Sequence, residues 1–333
     1  MIGQRARHAP GAGTGFIAAG LARKSLAGAV IAGTLFLLGA ASTPQAVDAR
    51  APLPSNTEAW RLESSLGIEI MVPASWEIND IGCRMTTKPS VVRGTGVTPA
   101  CFSTEPATKD IAEIAGLDQT SAVAGRSREV QVDGVAAVRV EGRLPDGRFA
   151  GRVAIPSREV SVAVRTRDRD LMRTILDSLH VVDIDHWGCA VRPAAPPPTG
   201  QPDRLAVPDP SSISVCGYGD GASGRLLAST RLLGADATRL ASALNAAPPG
   251  GNPDLPAAEC IDIGPPAGGR APDAVLLVHG DGAPTATVRV TFSGCTGRGL
   301  TNGTRLAQVT RGIIDQIMRP LHSGYAFQGD IPA

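Results

Sequence analysis

Aromatic residues make up only 3% of this 333-residue chain, which argues against a carbohydrate-binding platform or an aromatic-anchored peptide groove without excluding either. An excess of one charge is missing too: 32 basic residues face 31 acidic ones, for a formal net charge of +1. Bulk electrostatics therefore steers the chain neither to nucleic acid nor to an anionic membrane surface. Lysine occurs only at Lys24, Lys88 and Lys109, so the positive charge is carried by arginine, a bias we attribute to GC-rich coding. No Cys-x-x-Cys occurs, and no Gly-x-Ser-x-Gly stands beyond the leader. Thiol-redox, zinc-ribbon and nucleophile-elbow readings therefore lack their local signatures.

What is there begins with a leader. Residues 1–49 hold a basic stretch (Arg5, Arg7, Arg23, Lys24), an apolar run over 26–41 and a small-residue tail. That is the order of a secretory signal. Val47 and Ala49, or Gly39 and Ala41, would precede a cut. The apolar run is shorter than the ~20 residues of a spanning helix, and Gly28 and Gly33 dilute it. Cleavage as a signal peptide and retention as an N-terminal anchor are both open. In either case the charge order leaves the remainder outside the cytoplasm, touching the membrane only through 26–41 if that run is retained.

All six cysteines lie beyond the leader, and an even number in an exported chain favours disulfides. The expected pairing is Cys83 with Cys101, Cys189 with Cys216 and Cys260 with Cys295, one of fifteen connectivities that six cysteines allow. A metal site is not expected. Only Asp183, Asp185, His186 and Cys189 come close to a ligand set, and a structural bend accounts for them.

The fold class expected is α+β: two small domains, each an antiparallel sheet with helices packed on a face. The first spans 58–186, a proline-rich linker 187–210, the second 211–323, and a tail 324–333. In the first, Ile68, Ile70 and Val72 alternate as in a half-buried strand. Four further strands are predicted at 128–132, 135–143, 148–155 and 158–166, joined by Asp133-Gly134 and Pro145-Asp146-Gly147 turns. Parity assigns Val130, Val132, Val138, Val140, Phe149, Val153, Ile155, Val160, Val162 and Val164 to the core. Asp168 then starts a helix with Leu171, Met172, Ile175, Leu176 and Leu179 on one side.

The same parity puts Arg139, Arg143, Arg148, Arg152 and Arg165 on the outer face, where several guanidinium groups could hold a phosphate or carboxylate. Interleaved Glu129, Glu141 and Glu159 can instead neutralise them, leaving an ordinary solvated face.

Val72-Pro-Ala-Ser-Trp76, the hairpin meander and the Asp168–Leu179 helix resemble PsbP-like domains of actinobacterial envelope proteins. The resemblance covers about a third of the chain. It implies an α-β-α sandwich and an accessory or binding role, and it brings no catalytic residues.

In the second domain the order ββαββα is predicted, with strands at 213–218, 225–233, 274–279 and 285–292. Asp236 caps one helix, and Thr301 or Asn302 caps a last helix stopped by Pro320. Phrases such as Ala243-Leu-Asn-Ala-Ala-Pro-Pro-Gly-Gly resemble uncharacterised exported actinobacterial proteins. Gly219-Asp-Gly-Ala-Ser-Gly224 matches dinucleotide-loop spacing, but a strand-like segment follows it, so it reads as a hairpin turn. Gly294-Cys-Thr-Gly-Arg-Gly299 lacks the Lys-Ser/Thr of a phosphate loop.

No cofactor and no catalytic residue are expected. The functional expectation is a non-enzymatic, exported, disulfide-bonded protein of the envelope or medium that binds an envelope protein or an anionic envelope component. A membrane-anchored structural or sensory ectodomain and a secreted hydrolase are the alternatives.

Overall fold

A computed structural model describes residues 59–79, 88–94, 109–120, 122–193, 200–219, 224–256, 272–281 and 283–322. They form three sheets and three α-helices, an α+β arrangement. The leader, Cys83, Cys101, Cys260 and the 324–333 tail lie outside the described residues.

The first strands, β1 (Trp60–Ser65) and β2 (Ile68–Pro73), pair antiparallel with Ser65 opposite Ile68. That register leaves two residues for the turn, and both have positive φ, Leu66 at 55° and Gly67 at 83°. This is the backbone twist a two-residue hairpin requires. The seven-stranded sheet contains β3 (Glu77–Ile78), β4 (Ser90–Arg93), β5 (Ile111–Gly116), β6 (Arg126–Val132), β7 (Val135–Arg143), β8 (Phe149–Ile155) and β9 (Val160–Thr166). Its order is β3-β4-β5-β9-β8-β7-β6. The 126–166 meander is antiparallel, but β3 with β4 and β4 with β5 are parallel. The expected all-antiparallel sheet is therefore a mixed one.

Helix α1 (Arg169–Asp177) starts where Asp168 accepts hydrogen bonds from the Asp170 and Leu171 amides, satisfying two of the donors that a helix start leaves orphaned. It buries Met172, Ile175 and Leu176 against the sheet. A Cβ on Gly151 would stand 2.5 Å from Leu176 Cδ1, so the close approach of helix to strand relies on that glycine. The chain then adds β10 (His180–Val181) beside β2.

The outward and inward faces of β7 are the reverse of the expected ones. The Asp133-Gly134 turn pairs Val132 with Val135, and the ladder continues to put Arg139 opposite both Arg128 and Val153. Arg139 thus shares the α1 side with buried Val153, while Val138 points outward at 37% exposure. A one-residue change of parity exchanges every side chain between faces. Here the tight turn decides the register, and an ion pair at the end of α1 accommodates the arginine.

The third sheet has the order β12-β11-β13-β14-β15-β16, from β11 (Ser212–Tyr218), β12 (Leu226–Leu233), β13 (Ala274–Gly280), β14 (Ala283–Thr291), β15 (Gly299–Thr301) and β16 (Leu306–Ala307). Helices α2 (Gly234–Ala246) and α3 (Arg311–Leu321) bury Leu240, Leu244, Ile313, Ile314 and Ile317 in its core cluster. Asp236 lies in the first turn of α2 and is not its N-cap, which is Leu233. The last helix is capped by Thr310, not by Thr301 or Asn302, and Pro320 sits inside its final turn. Asn302 is instead buried, donating to the Gln201 and Arg204 carbonyls and accepting from the Thr304 and Arg305 amides.

The described part of the proline-rich stretch is anchored and not a free spacer. Leu205 and Ala206 are buried in the second core, and their amides both donate to Asn245 Oδ1.

Candidate functional site

A turn at 183–191 passes from β10 onto the face of the third sheet opposite its helices. Its rungs are short. The Val191 amide donates to the Asp183 carbonyl, the Asp185 amide to the Cys189 carbonyl and the Gly188 amide to the Asp185 carbonyl, each at 2.9 Å. Asp185 Oδ1 accepts from the Trp187 and Cys189 amides at 2.9 and 2.8 Å, the local side-chain-to-backbone bonding that makes Asp a turn residue. Gly188 supplies the positive φ of 84°.

The turn is fastened to β11 by the expected Cys189–Cys216 disulfide. Both sulfurs are buried in a small apolar cluster with Tyr218, Leu226 and Val275, against which Trp187 and Leu277 pack. The Tyr218 hydroxyl donates to the Ala190 carbonyl at 2.8 Å, and the Leu226 amide donates to the Val191 carbonyl at 2.8 Å. The Arg231 guanidinium lies 4.8 Å from the Trp187 ring centre.

The opposite side of the turn meets β2. Glu69 lies across from Ser64 in the β1/β2 ladder, and its Oε1 gathers three donors. These are the Ser64 hydroxyl at 2.7 Å, the His186 amide at 2.8 Å and the His186 ring, whose Nδ1 is 2.6 Å away. A carboxylate only accepts, so Nδ1 carries the proton in that contact. Burial works against the Glu69 charge, but the His186 ring, the Ser64 hydroxyl and the His186 amide together hold its carboxyl below the ordinary range.

Asp185 shows the reverse balance: burial pushes its carboxyl up and outweighs the Ser229 hydroxyl, the two turn amides and the His186 charge. Asp185 Oδ2 and Ser229 Oγ are buried without a satisfied hydrogen bond. Burial also raises the Tyr218 hydroxyl, and the Asp185 charge adds to the effect. Glu69, Asp185 and His186 each present a donor atom within 4.8 Å of the others.

This constellation is not a nucleophilic relay. A Ser-His-acid triad needs serine and carboxylate on opposite ring nitrogens, whereas Ser64 Oγ and Glu69 Oε1 both sit at His186 Nδ1, at 3.2 and 2.6 Å. Two surface grooves lie elsewhere. One of about 540 Å³ beside β6 and β7 is lined by Val130, Ala136, Val138 and Pro156, and another of about 290 Å³ between α2 and α3 by Asp236, Arg239 and Arg319. Neither is lined by a residue of the cluster.

The five arginines expected on one outer face are dispersed. Arg139, on the α1 side, pairs with Glu141 at 2.8 Å and with Asp177. Arg148 is buried in the turn before β8, bonded to Asp146 and the Lys109 carbonyl. Arg143 bonds the Gly147 carbonyl and lies over the Phe149 ring. Only Arg152 and Arg165 occupy the opposite face, where Arg152 reaches Thr120 and the Leu117 carbonyl and Arg165 pairs with Glu113 at 2.8 Å. Cys295 is disulfide-bonded.

Sequence reasoning singled out Asp185 and His186 but missed Glu69 and Ser64. More than a hundred residues separate Glu69 from His186, and a Glu in an alternating strand reads as solvent-facing, so nothing local marks it. No protein-family model, curated protein or solved structure matches the chain.

Proposed function

We propose that the chain is an exported, non-catalytic binding or accessory protein of the cell envelope, built from two α+β domains (58–186 and 211–323). The observation that carries the reading is the Cys189–Cys216 disulfide, buried on both sides. Protein disulfides form and persist in oxidising compartments outside the cytoplasm, and this one fastens the 183–191 turn to the third sheet. No helix among the described residues is long and apolar enough to cross a membrane, which leaves 26–41 as the segment whose fate decides between release and anchoring.

An accessory role is what the resemblance of the Val72–Trp76 and Asp168–Leu179 motifs to PsbP-like domains implies, and it is consistent with a His186 whose Nδ1 is engaged by Glu69 and not poised for a nucleophilic relay. The partner class is an envelope protein or an anionic envelope component. Fractionation of the native host with intact-mass analysis before and after reduction tests the location. Recovery outside the cytoplasm with bonded cysteines supports it, and recovery from the cytoplasm with free thiols overturns it. Cosedimentation with washed envelopes tests the binding role, since a chain that stays in the supernatant at low ionic strength binds no envelope component.

A further inference from the structure

We propose that Glu69, Asp185 and His186 form a binding site for a divalent first-row transition ion, held between β2 and the disulfide-fastened turn. Three independent features of the site carry this.

The first is spacing. Ligand atoms about 2.0–2.1 Å from a tetrahedral zinc ion lie roughly 3.3 Å from one another. In the cluster, His186 Nδ1 and Glu69 Oε1 are 2.6 Å apart, and the set as a whole spans no more than 4.8 Å. Small rotations of side chains bring such a set onto one ion.

The second is unspent bonding capacity. Asp185 is only 5% exposed. Its Oδ1 is taken by two turn amides, while Oδ2 makes no hydrogen bond of good geometry, the Ser229 hydroxyl being the one further side-chain donor that acts on this carboxyl. Buried polar atoms are ordinarily satisfied by protein, water or an ion. An ion at this point satisfies the carboxylate oxygen that the protein leaves open.

The third is charge. Two buried carboxylates and one imidazole bring their ligand atoms within 4.8 Å of one another. A divalent ion with two carboxylates and a neutral imidazole sums to zero, the balance a buried site requires. The ring proton on Nδ1 leaves to solvent when the ion takes its place.

The supporting shell is built as metal sites build theirs: Ser64 and the His186 amide hold Glu69, and the Trp187 and Cys189 amides hold Asp185. Oxygen with imidazole donors suits zinc and its neighbours over calcium or magnesium. The inference is independent of the accessory role, because a metal can hold the turn to β2 whatever the protein binds.

The experiment is titration of Zn²⁺, and of Co²⁺ for its visible absorption, into the untagged exported chain after chelator treatment. The expected result is one ion per chain, with a Co²⁺ spectrum of low coordination number that Zn²⁺ displaces. Asp185→Asn keeps the turn's acceptor and should weaken binding by about tenfold or more, with Glu69→Gln as a second variant should the first misfold. His279→Gln, outside the cluster, should bind as the parent does. Absence of stoichiometric binding to the parent chain, or binding undiminished in both cluster variants, overturns the proposal.

Discussion

Arg93 on β4 and Glu63 on β1 form a fully interior ion pair, their side chains 2% and 4% exposed. Arg61 adds a second cation to Glu63 at 2.6 Å, and Arg93 Nη2 reaches the Ser229 carbonyl of β12 at 3.2 Å. One guanidinium therefore ties the first two sheets to the third.

Breaking such a pair from one side leaves a buried charge without its partner, which costs about 3–5 kcal/mol. Glu63→Ala should accordingly lower the denaturant midpoint sharply. The double variant Glu63→Leu with Arg93→Met should recover most of the loss, because apolar replacements of similar volume remove both desolvation penalties together. Urea unfolding of the three proteins checks the order.

Glu69 and Asp185 predict opposite pH behaviour. The folded value of Glu69 lies below its ordinary 4.5. Its ionised form thus stabilises the fold above that value, and the contribution disappears as pH falls through the lowered folded value. Asp185 lies above its ordinary 3.8. Its contribution is favourable below that value and is lost as pH rises through the raised folded value. In metal-free buffer Glu69→Gln should therefore destabilise the neutral-pH protein by about 1.5–3 kcal/mol, the usual worth of hydrogen bonds to a charged group, and Asp185→Asn should raise its melting temperature. Both differences should shrink on acidification, and thermal scans between neutral and acid pH measure them.

Removing the Cys189–Cys216 bridge relaxes a loop of sequence separation 27. The chain-entropy relation gives about 3–4 kcal/mol for that length. Cys189→Ser with Cys216→Ser should unfold at correspondingly lower denaturant, and amide exchange should quicken first at 183–191, whose rungs depend on the anchor. Uniformly faster exchange across all three sheets would contradict a local role for the bridge.

At the start of α1, Asp168→Ala removes an acceptor for two amides. A loss of about 1 kcal/mol is expected, visible as a lower midpoint with unchanged helix content by circular dichroism. Asp168→Asn, still an N-cap, should stay near the parent.

Local patterns made much of the fold legible. Asp133-Gly134 announces the β6/β7 hairpin, Asp168 the start of α1, and the apolar runs at 213–218 and 274–279 the central strands of the third sheet, all because hairpin and capping chemistry act over two to four residues. Register and parity were harder to read. Val138 looks like a core residue by alternation, yet the turn geometry and the Arg139 pair with Asp177 send it outward. The parallel pairings of β3, β4 and β5 bring together segments separated by long connections, which no local pattern encodes.

By itself the sequence determined the α+β class, the turns of the hairpins and the Asp168 cap, because each follows from neighbours in the chain, and it offered the Cys189–Cys216 pairing as one of several that the structure then selected. Only the tertiary structure decided that Glu69 meets Asp185 and His186, that Ser64 shares their imidazole nitrogen, and that the five arginines part company. Those outcomes depend on which strands pair and in which register, and that choice is made by the summed burial and hydrogen bonding of residues far apart in the chain.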